Sequence, residues 1–162
     1  MQELELRQYQ QFIVTSIIDA LHTQKNIIVE LDAGLGKRII SYLLIERLPK
    51  NINILIITPS HASVKDTYQT FVEFYSKRGK KTDEIGYIAA GVPTRLRTLI
   101  LKEKRVVIST PISLANCLRK NVKLIERFKI IIINEVDKVV RRVAERFEVK
   151  GELNEEFHLA SE

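Results

Sequence analysis

The chain has 162 residues, a formal net charge of +6 and a pI near 9.5. That length suits one ordinary domain whose core needs neither metal nor disulfide, and the single cysteine, Cys117, excludes an internal disulfide framework. No charge-free apolar run approaches the ~18 residues of a membrane span and the N-terminus carries no secretory signal, so a cytoplasmic, membrane-free protein is expected.

The basic balance favours an anionic partner such as nucleic acid, with simple solubility as the plainer explanation. Abundant isoleucine with many Lys and Glu points to a thermophilic source, and an archaeal-like one is expected.

Taken in order, the chain alternates helix and strand. Tyr9, Phe12, Ile13, Ile17 and Leu21 fall at helical spacing and predict an opening helix over 7–21. Residues 26–31 (NIIVEL) read as a Val/Ile strand without polar alternation, suited to a parallel strand covered on both faces. A helix over 37–47 is stopped by Pro49. Residues 53–58 (NILIIT) give a second strand, and Thr58-Pro59 offers a cap and a first-turn proline for a helix to about residue 77. A short strand over 85–90 leads through Gly91 and Pro93 to a helix bearing Arg95, Arg97, Lys102 and Lys104. The strand over 105–110 (RVVIST) is again closed by Thr-Pro, at Thr110-Pro111, before a helix to about residue 119. The most apolar strand, 128–134 (FKIIIIN), delivers Asn134, Glu135, Val136 and Asp137 to its carboxyl end, and a helix follows. Such alternation predicts an α/β, three-layer fold with a mainly parallel central sheet, the strand at 26–31 among its inner members. Ligands of such sheets bind beyond the carboxyl ends of the strands.

The stretch from Asn26 to Tyr42 reads as an altered P-loop. Gly34 and Gly36 permit a tight turn that aims N–H groups and a helix start at a phosphate, with Lys37 as the point charge. An active P-loop has Ser or Thr after the lysine to bind Mg²⁺; here Arg38 stands there, with five donors and no lone pair. Asp32 puts a carboxylate where a triphosphate needs neutral or positive surroundings.

Read together, Arg7, Tyr9 and Gln10, then Gly34, Gly36 and Lys37, Thr58-Pro59-Ser60, Ala90-Gly91, Thr110-Pro111 and the strand ending in Asn134-Glu135-Val136-Asp137 carry a resemblance. The ordered set resembles the first RecA-like domain of superfamily 2 helicases, in the flavour of the Hef/FANCM/XPF branch of DNA-repair helicases. The resemblance covers roughly residues 6–137. Leu159-Ala160-Ser161 offers at most a remnant of the family's next motif. The whole chain, 1–162, is expected to be this single domain, with no second helicase domain.

The resemblance implies that Gln10 contacts adenine, Arg7 and Tyr9 line the base pocket, Lys37 holds phosphates and Glu135 positions the attacking water. It also implies that Thr58, Pro59, Ser60, Thr110 and Pro111 touch one nucleic-acid strand, with Lys65, Gly91, Arg95 and Arg97 as accessory donors and charges. Departures fall at the metal. The family's first motif II acid is Asn134 here, its hydroxyl after the lysine is Arg38, and the usual Pro-Thr before Gly34 is Asp32-Ala33. Arg38 is expected to take the metal's place by pairing with Asp32, Glu135 or Asp137.

The expectation is therefore an inactivated helicase homologue, holding no metal or cofactor, that binds nucleic acid (DNA favoured over RNA) and a nuclease or helicase subunit. Two alternatives stay open. One is an ATP/Mg²⁺-using half-site completed by a separate second domain; the other is a scaffold that binds neither nucleotide nor DNA. His22, His61 and His158 share no ligand spacing, Cys117 reads as a small buried residue, and the acidic 149–162 tail reads as an edge strand or a partner contact.

Overall fold

The computed structural model describes residues 8–23, 26–30 and 36–141. The expectations for Arg7, Leu31, Asp32, Ala33, Gly34 and the 149–162 tail lie outside these residues. Two compact units divide the chain, Met1–Asn51 and Ile52–Glu162.

In the first unit, α1 (Gln8–His22) and α2 (Lys37–Arg47) pack on one another, and Arg47 Nη1 donates to Thr15 Oγ1 at 2.8 Å. Helix α1 forms where its spacing predicted, but its buried residues are Gln10 and Val14; of the expected apolar face Tyr9, Ile13, Ile17 and Leu21 are half-buried and Phe12 is 74% exposed. Helix α2 buries six consecutive residues from Ile40 to Ile45, so its middle turns are covered on every side. Residues 26–30 do not form the expected strand, and Ile28 is 90% exposed. An apolar run records that its side chains gain by burial; a strand also needs a neighbour to complete its ladder. These five residues pair with none among the described residues.

The second unit is built on β1 (Ile54–Ile57), β2 (Ile85–Ile88), β3 (Val106–Ser109) and β4 (Ile130–Ile133), all parallel, in the order β2-β3-β1-β4. The inner members of this sheet are β3 and β1, in place of the expected 26–31 strand. Crossovers are made by α3 (His61–Lys77), α4 (Thr94–Glu103) and α5 (Pro111–Leu118), with short 3-10 turns at Thr82–Glu84 and Val122–Arg127. Period-2 alternation sorts the side chains between two faces. Leu55, Val107 and Ile88 join Leu101, Leu114, Cys117, Leu124 and Phe128 in one core cluster. On the other face Tyr87 meets Tyr68 of α3, ring centroids 4.9 Å apart.

Gly86 explains how closely α4 approaches. A Cβ there would sit 2.7 Å from Ile100 Cγ2 and 2.9 Å from Lys104 Cγ, so only glycine lets the helix lie this near the strand.

Helix α3 begins differently from the sequence expectation. Its N-cap is Ser60, two residues beyond Thr58, and Pro59 precedes the helix. Ser60 Oγ accepts from Ser63 N at 3.1 Å while Ser60 N donates to Ser63 Oγ at 3.0 Å, a reciprocal box that satisfies two otherwise orphaned donors. Proline has no N–H to be capped, but Thr58 is needed for the sheet: its N–H donates to Ser109 O at 3.0 Å. Helix α5 follows expectation, with Thr110 as N-cap and Pro111 in the first turn.

Candidate nucleotide and nucleic-acid sites

The P-loop helix start lies in the first unit. Gly36 has φ 77 and ψ 46, a left-handed conformation that glycine adopts without the Cβ penalty, and it caps α2 with no side-chain hydrogen bond. Gln10 is buried and its side-chain amide abuts Gly36: a Cβ on the glycine would lie 2.6 Å from Gln10 Nε2. Sequence positions 26 residues apart are thus brought together by the packing of α1 on α2. Lys37 and Arg38, the first two residues of α2, are exposed, and Tyr9 is half-buried on α1. The uncapped start of an 11-residue helix carries the partial positive charge that favours an anion.

Three corners stand side by side at the carboxyl ends of β1, β3 and β2. Their adjacency is fixed by backbone hydrogen bonds, Thr58 N to Ser109 O at 3.0 Å and Thr110 N to Ile88 O at 3.4 Å. At the first corner Thr58 is buried and its Oγ1 lies 2.8 Å from Ser63 Oγ. Ser63 also donates to Ser60 O at 2.8 Å, so this one hydroxyl ties Thr58 and Ser60 together. At the second corner Thr110 Oγ1 accepts from Ser113 N at 3.2 Å. The threonine side chains therefore serve the fold, and the groups left for an external phosphate are backbone N–H groups. Helix α3 keeps those of His61 and Ala62 uncommitted among the described residues, whereas Pro111 leaves α5 only that of Ile112.

The third corner is held from within. Arg97 Nε donates to Val92 O at 2.7 Å and its Nη2 to Ala89 O at 3.3 Å, closing a loop around Gly91, whose φ is 93. The charge of the same guanidinium opposes, without overcoming, the upward push that burial gives the Cys117 thiol of α5. Arg97 is thus engaged in shaping the corner, while Arg95 of the same helix and Lys65 of α3 are exposed.

The segment after β4 lies in the same unit. Asn134 N donates to Ile57 O at 2.9 Å, extending the β1–β4 ladder by one bond. Glu135 then adopts φ 53, a left-handed conformation that costs a non-glycine residue on the order of 1–2 kcal/mol. This sharp turn lets Glu135 O accept from Lys138 N at 2.9 Å and Val139 N at 3.1 Å, starting the helical run 136–141. Glu135 Oε1 pairs with Lys138 Nζ at 2.9 Å, and that hydrogen bond lifts the ammonium above its ordinary range. Asp137 is exposed.

Sequence reasoning missed Ser63 and the inward role of Arg97. The first had a signal, since Ser60 and Ser63 stand at capping-box spacing; the second had none, because an arginine two residues after an exposed arginine reads as one more surface cation.

The donor set does not suit Mg²⁺ at the two positions where the resemblance puts its organising groups. A guanidinium cannot ligate a cation, and the amide oxygen of Asn134 is a neutral ligand bringing no charge. Among the described residues no group of three or more His, Cys, Asp or Glu is arranged to hold a metal, and no helix is long and apolar enough to cross a membrane.

No relative is found among curated proteins. A family model described as "Type III restriction enzyme, res subunit" matches residues 3–154, nearly the whole chain. With its α/β architecture and all-parallel sheet, the chain belongs to that family, the N-terminal RecA-like domain of the superfamily 1 and 2 helicases.

Proposed function

We propose that this is a catalytically degenerate, superfamily 2 helicase-like domain of the Hef/FANCM/XPF type, serving as a nucleic-acid and protein interaction module in DNA repair or recombination. The observation that carries the reading is the joint loss of both metal-organising groups, at Arg38 and Asn134, in a chain that keeps the fold and its three corners. Phosphoryl transfer relies on Mg²⁺ to bridge the phosphates and neutralise developing charge, with little covalent work left to the protein. Loss of one electrostatic stabiliser typically costs about 3–4 kcal/mol, or 10²–10³ in rate; loss of both leaves turnover near background.

The corner after β1 supplies the phosphate contacts through His61 and Ala62 N–H, with Lys65 and Arg95 adding salt-sensitive charge. DNA is the favoured nucleic acid, and a nuclease or helicase subunit the favoured protein partner.

A second reading is favoured by Lys37 and Gln10, which keep a lysine at an uncapped helix start and an amide against Gly36. On that reading the chain is an ATPase half-site completed by a separate domain. Calorimetric titration with ATP, once with Mg²⁺ and once with EDTA, separates the two. The degenerate reading expects no Mg²⁺-dependent binding; micromolar binding that requires Mg²⁺ overturns it in favour of the half-site.

A further inference from the structure

The charge of the second unit is distributed unevenly between the two ends of its sheet. Because all four strands are parallel, segments 77–84, 102–105 and 119–129 lie toward the amino ends of the strands, and 58–66, 89–97, 109–116 and 134–141 toward the carboxyl ends. The amino-end segments hold twelve Lys and Arg against four Asp and Glu, an excess of eight; the carboxyl-end segments hold five against three. The net basic character therefore sits opposite the three corners.

These amino-end segments are knit together. Lys104 Nζ donates to Asp83 O at 2.6 Å, and Arg105 Nη1 pairs with Glu84 at 3.7 Å while its Nε donates to Ile52 O at 3.1 Å. Arg127 Nη1 donates to Leu101 O at 2.8 Å, and Asn53 Nδ2 donates to Arg127 O at 3.3 Å. Three basic residues are thereby spent on fixing the edge. Lys81, Lys102 and Lys129, one from each segment, are exposed, and their ammonium groups meet no hydrogen-bond or ion-pair partner among the described residues. Lys102 lies in the last turn of α4, where a cation complements the helix dipole; Lys81 and Lys129 lie outside any helix and have no such duty.

We infer that this amino-end edge is a second binding surface, one that takes the phosphate backbone of duplex nucleic acid without reading its sequence. The dimensions agree. Four strands at about 4.8 Å spacing span roughly 14 Å, over which a duplex carries on the order of eight phosphate charges. Bases are not the target, because stacking on unpaired bases needs exposed aromatic rings, and Tyr75 and Phe128, the aromatics next to this edge, are buried. A lipid surface is disfavoured too: Val122 is the one exposed large hydrophobic in these segments among the described residues.

The test is fluorescence anisotropy of a labelled random-sequence duplex of about 20 base pairs, titrated with the full chain between about 50 and 200 mM salt, where each phosphate contact contributes roughly 0.9 to the log–log slope. Three proteins are compared: the unaltered chain, the edge variant Lys81→Glu/Lys102→Glu/Lys129→Glu, and the corner variant Lys65→Glu/Arg95→Glu. Lys→Gln versions at the three edge positions guard against misfolding by charge reversal, with thermal melting followed by circular dichroism. The edge variant is expected to bind at least about tenfold more weakly at low salt and to lose roughly 2.7 units of slope for its three lysines, and the corner variant, with two charges, to lose less, roughly 1.8. Loss confined to the corner variant overturns the inference and leaves the corner reading standing; loss confined to the edge variants does the reverse. An edge variant that binds the duplex as the unaltered chain does, but releases a poly-glutamate peptide, also overturns it, in favour of an acidic protein partner.

Discussion

The two ends of one parallel sheet are built on different principles. At the carboxyl ends, hydroxyls and backbone groups are arranged with care: Ser63 serves two partners, Thr110 caps α5, and Arg97 holds the loop at Gly91. Little net charge accompanies them. At the amino ends, charge is abundant and the hydrogen bonds serve to anchor it, as with Arg105 and Arg127. Geometry selects and orients, whereas charge attracts at a distance and fades with salt. A chain's overall basicity is therefore a poor guide to which end of its fold an anion meets.

The largest effect on this comparison comes from prying the amino end apart. Gly86→Val forces two extra methyl groups and a Cβ into a space already closed by Ile100 and Lys104. Overpacking of this kind costs about 1–3 kcal/mol, and the strain falls on the last turn of α4, where Lys104 holds Asp83 O. Urea unfolding should show a lower midpoint with an unchanged m-value. An unaltered midpoint would mean that α4 slides away freely and that the edge is not the fixed array described above.

A smaller effect distinguishes the corners from one another. Ser60→Ala removes the cap oxygen that accepts from Ser63 N and the 3.2 Å bond from Ser60 Oγ to Ser63 Oγ, while the backbone N–H of residue 60 keeps Ser63 Oγ, so it is expected to cost about 1–2 kcal/mol. Thr110→Ala removes a single cap bond, for about 0.5–1 kcal/mol. Equal losses in chemical denaturation would show that the bond between the Ser60 and Ser63 hydroxyls adds nothing.

The sheet was legible because its strands announce themselves: NILIIT, RVVIST and FKIIII are short apolar runs bounded by turn residues, and the Thr-Pro pair at Thr110 marks a helix start by chemistry. The run at 26–31 carries the same composition and is not a strand over its described residues, since pairing depends on a neighbour that periodicity does not name. Thr58-Pro59 looks like Thr110-Pro111, yet the first helix starts two residues later because Ser60 and Ser63 form the better box. Of the candidate sites, the positions of Lys37 and Glu135 at helix starts followed from motif spacing. The left-handed turn at Glu135 and the engagement of Arg97 are tertiary facts, decided by where β4 ends and where the Ala89–Val92 carbonyls point.

The smallest effect is a pH dependence carried by Cys117, which sits between the two ends within the core cluster. Burial pushes its thiol above its ordinary range, against a lesser opposing pull from Arg97 and Lys120. A buried thiol that resists ionising contributes its stability in full below the unfolded value, and loses it as pH climbs toward the folded one, because only the unfolded chain then releases the proton. The fall is at most about 1.4 kcal/mol per pH unit. Urea unfolding at pH 8 and pH 10 should therefore show the unaltered chain losing more stability than Cys117→Ala over that interval. Parallel losses in the two proteins would mean that the folded state ionises the thiol as readily as the unfolded chain does. In that case the pull of Arg97 and Lys120 offsets the burial in full.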